Sequence, residues 1–498
     1  MEKKLKIKNL KTYIESRSKT KVICTIGPST CEVESIVRLI KSGMSVARLN
    51  LSHGKEKEHL KYIKNIREAS EKTGIIVGIL ADIPGPKYRV GNIDNDTYLA
   101  AGSDFTLTEK KINGNKNIAQ IWPKGLSIDL NLYKKGTLVK SIILIDDGKI
   151  VLQSKKIQNG NLICKVLTGG HLVSNKSVSA PGRTSTVDYF TKETKEAIKF
   201  VNKADVNFVG ASYVRDVGDV NDIRKKLKKS KQIISKIEIE DAVNNLEEII
   251  DASDGVMVAR GDLGVELPFE EVPSKQKMII RVANERGKPV ITATQMLESM
   301  ITISNPTRAE ATDVYNAVRD GTDAIMLSAE TSIGKYPFLA VEAMQKIAKK
   351  AEQFLEYEKL SERRRSYTSK KGTFVNDAIG YSSSITAEAV GAKFIIAYSS
   401  SGRSAEMVAS YRPSKNILAI TESKHVAENL TIVWGVNTVV QKHLSDIQSM
   451  FYSASEFIIS NKLAKKKEKI VVIAGVPIGV KGTTNLLRVV TLPEPKIH

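Results

Sequence analysis

Eight short apolar runs, each followed by an amphipathic stretch, recur between residues 21 and 331 and constrain the fold of this chain more than any other feature. They fall at 21–27, 45–53, 76–83, 207–214, 233–238, 255–262, 289–296 and 324–331, and their charges gather mainly towards the C-terminal ends. Runs of this kind suit parallel strands covered on both faces, and the helical patterns between them suit crossover connections. One such pattern, SKQKMIIRVANERG, closes on Gly287, a residue that terminates helices well. Eight strand–helix units predict an α/β protein built on a (β/α)8 barrel.

The alternation stops between about Tyr88 and Val187. That stretch lacks a long helical period and carries turn signals at Asn113–Gly114, Asp147–Gly148 and Asn159–Gly160, with short β-like runs between them. It reads as an all-β domain inserted after the third barrel strand, placed to act as a lid. After the eighth run come a long helix pattern, the charged linker 356–372 and a second α/β region over 373–498. The expected division is a basic extension (1–18), a barrel (19–87 and 188–355), a β-barrel lid (88–187), the linker and a C-terminal α/β regulatory domain.

A net charge of +21 invites a nucleic-acid reading, but its distribution argues against one. Lysines are concentrated in Met1–Lys21 and otherwise scattered, as in Lys462–Lys469, with no zinc finger, aromatic RNA-binding pair or helix-turn-helix signal beside them. A lysine-rich surface that attracts polyanionic metabolites is the expectation, with no dedicated nucleic-acid site. No apolar run approaches the roughly 20 residues of a membrane span, and the N-terminus lacks the apolar core of a secretory signal. Cys24, Cys31 and Cys164 show no metal-ligand spacing, which fits buried thiols in a reducing cytoplasm.

Chemistry concentrates in two of the runs. IISKIEIE (Ile233–Glu240) ends with Lys236 and Glu238, and VMVARGDLGVE (Val256–Glu266) ends with Arg260 and Asp262. The C-terminal ends of barrel strands form the catalytic face. Two carboxylates and a lysine there suggest a divalent metal with a fixed cation beside it; an ion pair closing the barrel mouth is the alternative.

In order along the chain stand KVICTIGPST, VARLNLSHG, GPKYR, SKIE, VARGDLGVE, ITATQMLESM, NPTRAEATDVYNAVRDGTDAIMLSAETSIGKYP and SGRSAEMVASYRP. Together they resemble the pyruvate kinase family from roughly Lys19 to Val490. The resemblance implies a glycolytic enzyme, cytoplasmic and homotetrameric, that moves the phosphoryl group of phosphoenolpyruvate to ADP. It implies that Glu238 and Asp262 hold Mg²⁺, with Mn²⁺ as a substitute, and that Lys236, Arg48 and Thr294 are catalytic. Ser212, Gly261, Asp262 and Thr294 join Arg48 and Lys236 in binding substrate, and Asn50, His53, Arg89 and Lys176 match nucleotide-binding positions. His53 suits a satisfied loop histidine equally well. Ser179–Ala180 stands where Asn–Leu is more usual, Pro84 replaces a Lys or Gln, and Tyr88 replaces an aliphatic residue.

Asn50, Ser52, Asp82 and Ile83 match the family's potassium site. Potassium-dependent members carry a glutamate where GPKYR has Lys87, so the resemblance implies a tethered ammonium in place of K⁺, with a surface cation as the alternative. The loop Ser399, Ser400, Ser401, Gly402, Arg403 and Ser404 matches an effector-phosphate site. The later loop at 475–485 lacks the Trp and Arg that some relatives use for a second phosphate, so a monophosphate effector is expected, against an unoccupied helix cap. Two rival functions remain: a metal-dependent carbon–carbon lyase on the same barrel, which would not need Lys236 beside a phosphate, Arg48 or a lid, and a catalytically silent binding protein, which should have lost Lys236, Glu238, Asp262 or Thr294.

Overall fold

The computed structural model describes residues 10–94, 97–123, 133–134, 137–138, 141–181, 187–371, 374–441, 446–478 and 483–495. Eight parallel strands close into a barrel: Lys21–Thr25, Met44–Asn50, Gly78–Ile83, Phe208–Ala211, Gln232–Ile237, Gly255–Ala259, Val290–Ala293 and Ala324–Leu327. Several of these strands stop short of the apolar run that announced them. The fourth ends at Ala211, because Tyr213 turns into the left-handed region at φ 56°. The sixth ends at Ala259, where the helix Arg260–Glu266 begins at once. The seventh ends at Ala293, ahead of Thr294 and Gln295 at φ 65° and 52°.

The helices that wrap the barrel have identifiable ends. Arg308–Asp320 starts on a capping box, in which Thr307 accepts from the Glu310 N–H and Glu310 reaches back, and it stops at left-handed Gly321. Their apolar faces and the outward faces of the strands form one core that includes Val22, Ala47, Ile79, Val209, Ile237 and Val258. The inward-facing residues Ile23, Val46, Leu80, Phe208, Ile234, Met257 and Ile291 belong to a second core. That core continues through Ala405, Leu430 and Ile395 into the C-terminal domain.

Among the described residues the lid is a closed barrel of seven strands, in spatial order Ile142–Ile145, Ile150–Gln158, Asn161–Thr168, Asp104–Thr108, Ile118–Trp122, Tyr88–Val90 and Ser177–Ser179. Its own core includes Phe105, Ile143, Leu152 and Val166. The C-terminal domain carries a five-stranded sheet ordered Val436–Val440, Asn416–Thr421, Phe394–Tyr398, Lys469–Gly475 and Thr484–Thr491, the last strand antiparallel. It is held to the barrel by Arg412, whose guanidinium donates to both oxygens of Asp323 at 2.9 and 2.7 Å.

Three expectations differ from what is observed. The charged linker is largely a helix, Tyr357–Lys371, because Ser361, Arg364 and Thr368 recur at helical spacing and are buried. The basic extension contains a helix, Leu10–Ser16, whose Leu10 and Ile14 enter the core of the C-terminal domain. Cys24 and Cys164 are buried, but Cys31 is half-exposed in the loop after the first strand. Among the described residues no helix is long and apolar enough to cross a membrane.

Candidate active site

The strand ends bring together most of the barrel residues singled out from sequence. Arg48 ends up beside Asp82 because the second and third strands pair in register, Asn50 opposite Asp82. Its Nε and Nη2 lie 2.9 and 2.8 Å from Asp82 Oδ2, and Nη1 donates to Thr25 Oγ1 at 3.1 Å. Lys236 Nζ lies 3.6 Å from the same Asp82 oxygen and 2.7 Å from Glu238 Oε1, and it donates to Ser212 Oγ at 2.8 Å. All of these side chains are buried, Glu238 completely.

The array continues through Tyr213. Its N–H donates to Glu238 Oε2 at 2.7 Å and its hydroxyl to Asp262 Oδ1 at 2.5 Å. Lys87 Nζ reaches the same Asp262 oxygen at 2.5 Å and sits 5.1 Å from the centre of the Tyr213 ring. Beside Asp262, the Gly261 N–H donates to Thr294 Oγ1 at 2.8 Å. Thr294 is β-branched and left-handed, a conformation that costs on the order of 1–3 kcal/mol. Arg260 holds it there, donating through Nε and Nη2 to the Thr294 carbonyl and through Nη2 to the Gln295 carbonyl, while Nη1 bonds Asp313.

Electrostatics follow from burial and pairing. Burial pushes the Glu238 carboxyl up to about 6, with the nearby Asp262 charge adding to it and Lys236 opposing. Burial also works to raise Asp262, but the charges of Lys87 and Lys236 outweigh it and bring that carboxyl down to about 2. Burial alone would lower Lys236; the charges of Glu238, Asp82 and Asp262 overcome it and hold the ammonium above its ordinary value. Burial, then Asp262 and Glu238, push the Tyr213 phenol well up, so it stays a donor.

Other candidates lie apart. Asn50 and Ser52 form a local turn, with the Ser52 N–H donating to Asn50 Oδ1 at 3.2 Å, and Asp82 Oδ1 is buried without a hydrogen bond. Lys87 contacts Asp262 rather than this Asn50–Ser52–Asp82–Ile83 group. His53 is exposed, and its carbonyl is held by His59 Nε2 at 2.8 Å. Arg89 and Lys176 are neighbours in the lid: Arg89 Nη1 donates to the Asn175 carbonyl, and Lys176 pairs with Asp146 at 2.8 Å. Ser399 to Ser404 form the turn into the helix Arg403–Ser410, with Gly402 at φ 91° and Ser404 Oγ 2.7 Å from Thr484 Oγ1. Sequence reasoning missed Tyr213 and gave Arg260 no task. Tyr213's one signal was its place beside Ser212 at the end of an apolar run.

A family model described as pyruvate kinase, barrel domain, matches residues 17–341, and one described as pyruvate kinase, alpha/beta domain, matches residues 377–490. Pyruvate kinase of Geobacillus stearothermophilus is 42% identical over 480 residues, spanning 95% of this chain and 80% of that protein. Pyruvate kinase of Sporosarcina psychrophila is 40% identical over 478 residues, with the same coverage. The crystal structure of a pyruvate kinase from Cryptosporidium parvum superposes with a TM-score of 0.89 at 36% identity, covering 96% of this chain and 97% of that one. With both family models matched in order, relatives alike over nearly the whole chain and a common architecture, the chain belongs to the pyruvate kinase family.

Proposed function

We propose that the chain carries out the family's reaction, transfer of the phosphoryl group of phosphoenolpyruvate to ADP, with a divalent ion held by Glu238 and Asp262. The observation that carries this reading is the alternation of Arg48, Lys236 and Lys87 with Asp82, Glu238 and Asp262 at the open end of the barrel. Their formal charges cancel. A site that gathers two polyanionic substrates therefore needs a further cation.

The residues fit such an ion. Glu238 Oε1 is buried with Lys236 Nζ at 2.7 Å as its close cation, and the donors on Asp262 both fall on Oδ1, leaving Oδ2 open among the described residues. Among the described residues no group of three or more His, Cys, Asp or Glu is suited to a metal, so two carboxylates plus substrate and water oxygens would complete the shell. Hard oxygen donors of that kind suit Mg²⁺, or Mn²⁺. When bound, the ion would screen charge on the phosphoryl group and the enolate.

The chain's own groups divide the remaining work. Lys236, kept charged by its carboxylate neighbours, faces the group in transit and then the enolate oxygen. Arg48 is held rigid by Asp82 and Thr25 and offers a fixed cation for phosphate. Ser212 orients Lys236, and Gly261 and Thr294 stand beside Asp262 for the substrate carboxylate. Asn50, His53, Arg89 and Lys176 are assigned to the nucleotide, the last two arriving with the lid.

Family likeness and Lys87 support a potassium-independent enzyme, with Asn50, Ser52, Asp82 and Ile83 as the remnant of a monovalent site. Family likeness also supports a glycolytic role in the cytoplasm, a homotetramer, and a monophosphate effector at Ser399–Ser404. The deciding experiment is a coupled assay for pyruvate from phosphoenolpyruvate. Release that requires both ADP and Mg²⁺ supports the reading; release independent of ADP, or none, overturns it.

A further inference from the structure

Tyr213 grips both carboxylates assigned to the metal, and it does so through two different groups. The main-chain N–H takes Glu238 Oε2 at 2.7 Å, and the hydroxyl takes Asp262 Oδ1 at 2.5 Å. One oxygen of each carboxylate is thereby tied. Of the remaining oxygens, Glu238 Oε1 faces the Lys236 ammonium at 2.7 Å and keeps a second lone pair for another partner, while the donors on Asp262 both fall on Oδ1 and leave Oδ2 open among the described residues.

This double grip depends on the backbone of Tyr213. A bulky residue at φ 56° is an outlier that persists only where its surroundings hold it. Behind it the fourth strand is locked between its neighbours, Ala211 opposite Ile83 on one side and Ser235 on the other. The carbonyl of Ser212 is fixed by the Tyr189 hydroxyl at 2.8 Å. In an extended conformation the N–H and the ring of Tyr213 would point to different sides of the chain, and one residue could not serve both carboxylates. The ring has a second use. Its face lies 5.1 Å from Lys87 Nζ, within cation–π range, while that ammonium shares Asp262 Oδ1 with the phenol.

We propose that Tyr213 is a positioning residue for the divalent ion, fixing one oxygen of Glu238 and of Asp262 so that Glu238 Oε1, shared with Lys236, and Asp262 Oδ2 are presented to the metal, and seating Lys87 beside them. The proposal rests on the reading of Glu238 and Asp262 as ligands. Partners of metal ligands that orient them typically change metal affinity or activity about 10–100-fold when removed.

The test is Mn²⁺ binding to the full-length enzyme without substrate, followed by the electron paramagnetic resonance signal of the free ion. Tyr213→Phe deletes only the hydroxyl and keeps the ring and the N–H. It is expected to weaken Mn²⁺ binding about tenfold, to raise the metal concentration needed for half-maximal rate more than it lowers kcat, and to leave the thermal midpoint unchanged. Tyr213→Leu, which also removes the seat for Lys87, is expected to weaken binding further. Glu238→Gln serves as the reference. If Glu238→Gln abolishes binding while Tyr213→Phe binds Mn²⁺ as tightly as the unmodified enzyme, the ligand reading stands and the role of Tyr213 is overturned. If Glu238→Gln itself leaves binding intact, the ligand reading fails and the proposal with it.

Discussion

Lys87 and Asp262 meet at 2.5 Å where the chain leaves the barrel for the lid, joining the end of the third strand to the helix that follows the sixth. The ammonium is largely buried, so it adds a fixed positive charge to the site that no solute has to supply. Substantial activity is therefore expected in sodium or tetramethylammonium buffer without potassium. Lys87→Glu should create a requirement for potassium, read as the rate ratio with and without K⁺. A strong potassium dependence of the unmodified enzyme would refute this.

Lys236 meets Ser212, Glu238 and Asp82 through its ammonium. Lys236→Met keeps most of the stem and removes the charge facing the transferring group. Loss of phosphoryl transfer by at least about a thousandfold is expected, with part of the proton exchange at the methyl group of pyruvate surviving. The two half-reactions are separable by coupled assay and by deuterium incorporation followed by NMR. Equal loss in both would make Lys236 the proton carrier as well.

Arg260 is expected to act at a distance from the chemistry. Its guanidinium holds the carbonyls of Thr294 and Gln295, two successive left-handed residues. Arg260→Met should let that turn relax and misplace the Thr294 hydroxyl, lowering kcat/KM for phosphoenolpyruvate on the order of 100-fold with the far-ultraviolet circular dichroism preserved. Asp313→Asn leaves the carbonyl contacts in place and should be much milder. A fall of less than about threefold in Arg260→Met, small beside the cost of misplacing a catalytic group, would show that the turn holds itself.

Glu406 lies on the helix Arg403–Ser410, among the side chains that pack against the barrel's lower end. Burial pushes its carboxyl up to about 7, the Asp254 charge adds to the rise, and Lys288 and Arg403 oppose it. The folded state thus holds this proton more tightly than the unfolded chain. Its contribution favours folding below about pH 4.5 and is lost as pH rises towards 7. Glu406→Gln should remove that decline, raising stability at about pH 8 relative to about pH 5 by on the order of 1–2 kcal/mol, allowing for partial exposure. Urea unfolding at the two pH values measures it, and an equal mutational effect at both would contradict the assignment.

The barrel was legible because its strands are buried on both faces, so that each reads as an apolar run whatever its neighbours do. Their ends were not. NFVGASYV runs to Val214 in sequence, but the ladder stops at Ala211, since no pattern of side chains announces that Tyr213 turns left-handed. Tyr213 meets Glu238 through its own main-chain N–H, and Arg260 is directed at the main-chain carbonyls of Thr294 and Gln295, and such contacts leave no trace in residue type. Lys236, Glu238 and Asp262 were visible for the opposite reason: a charge at the end of a buried run is costly unless a partner or a ligand meets it there. The helix Tyr357–Lys371 was hidden by its many charges, since its buried stripe is made of Ser361, Arg364 and Thr368 rather than apolar residues.

Glu238, Asp262, Thr294 and Tyr213 each fall one to three residues beyond the last residue of a barrel strand. Two populations of mutations should therefore be distinguishable in a saturation screen. Changes inside the strands, the site residues Arg48, Asp82 and Lys236 excepted, should reduce the amount of folded protein and leave the specific activity of the survivors alone. Changes in the first few residues past each strand should do the reverse, giving abundant, soluble and inactive protein. A chain arranged this way can drift in its chemistry without renegotiating its fold, as long as the boundary between the two sets of residues stays where the hydrogen-bond ladder ends.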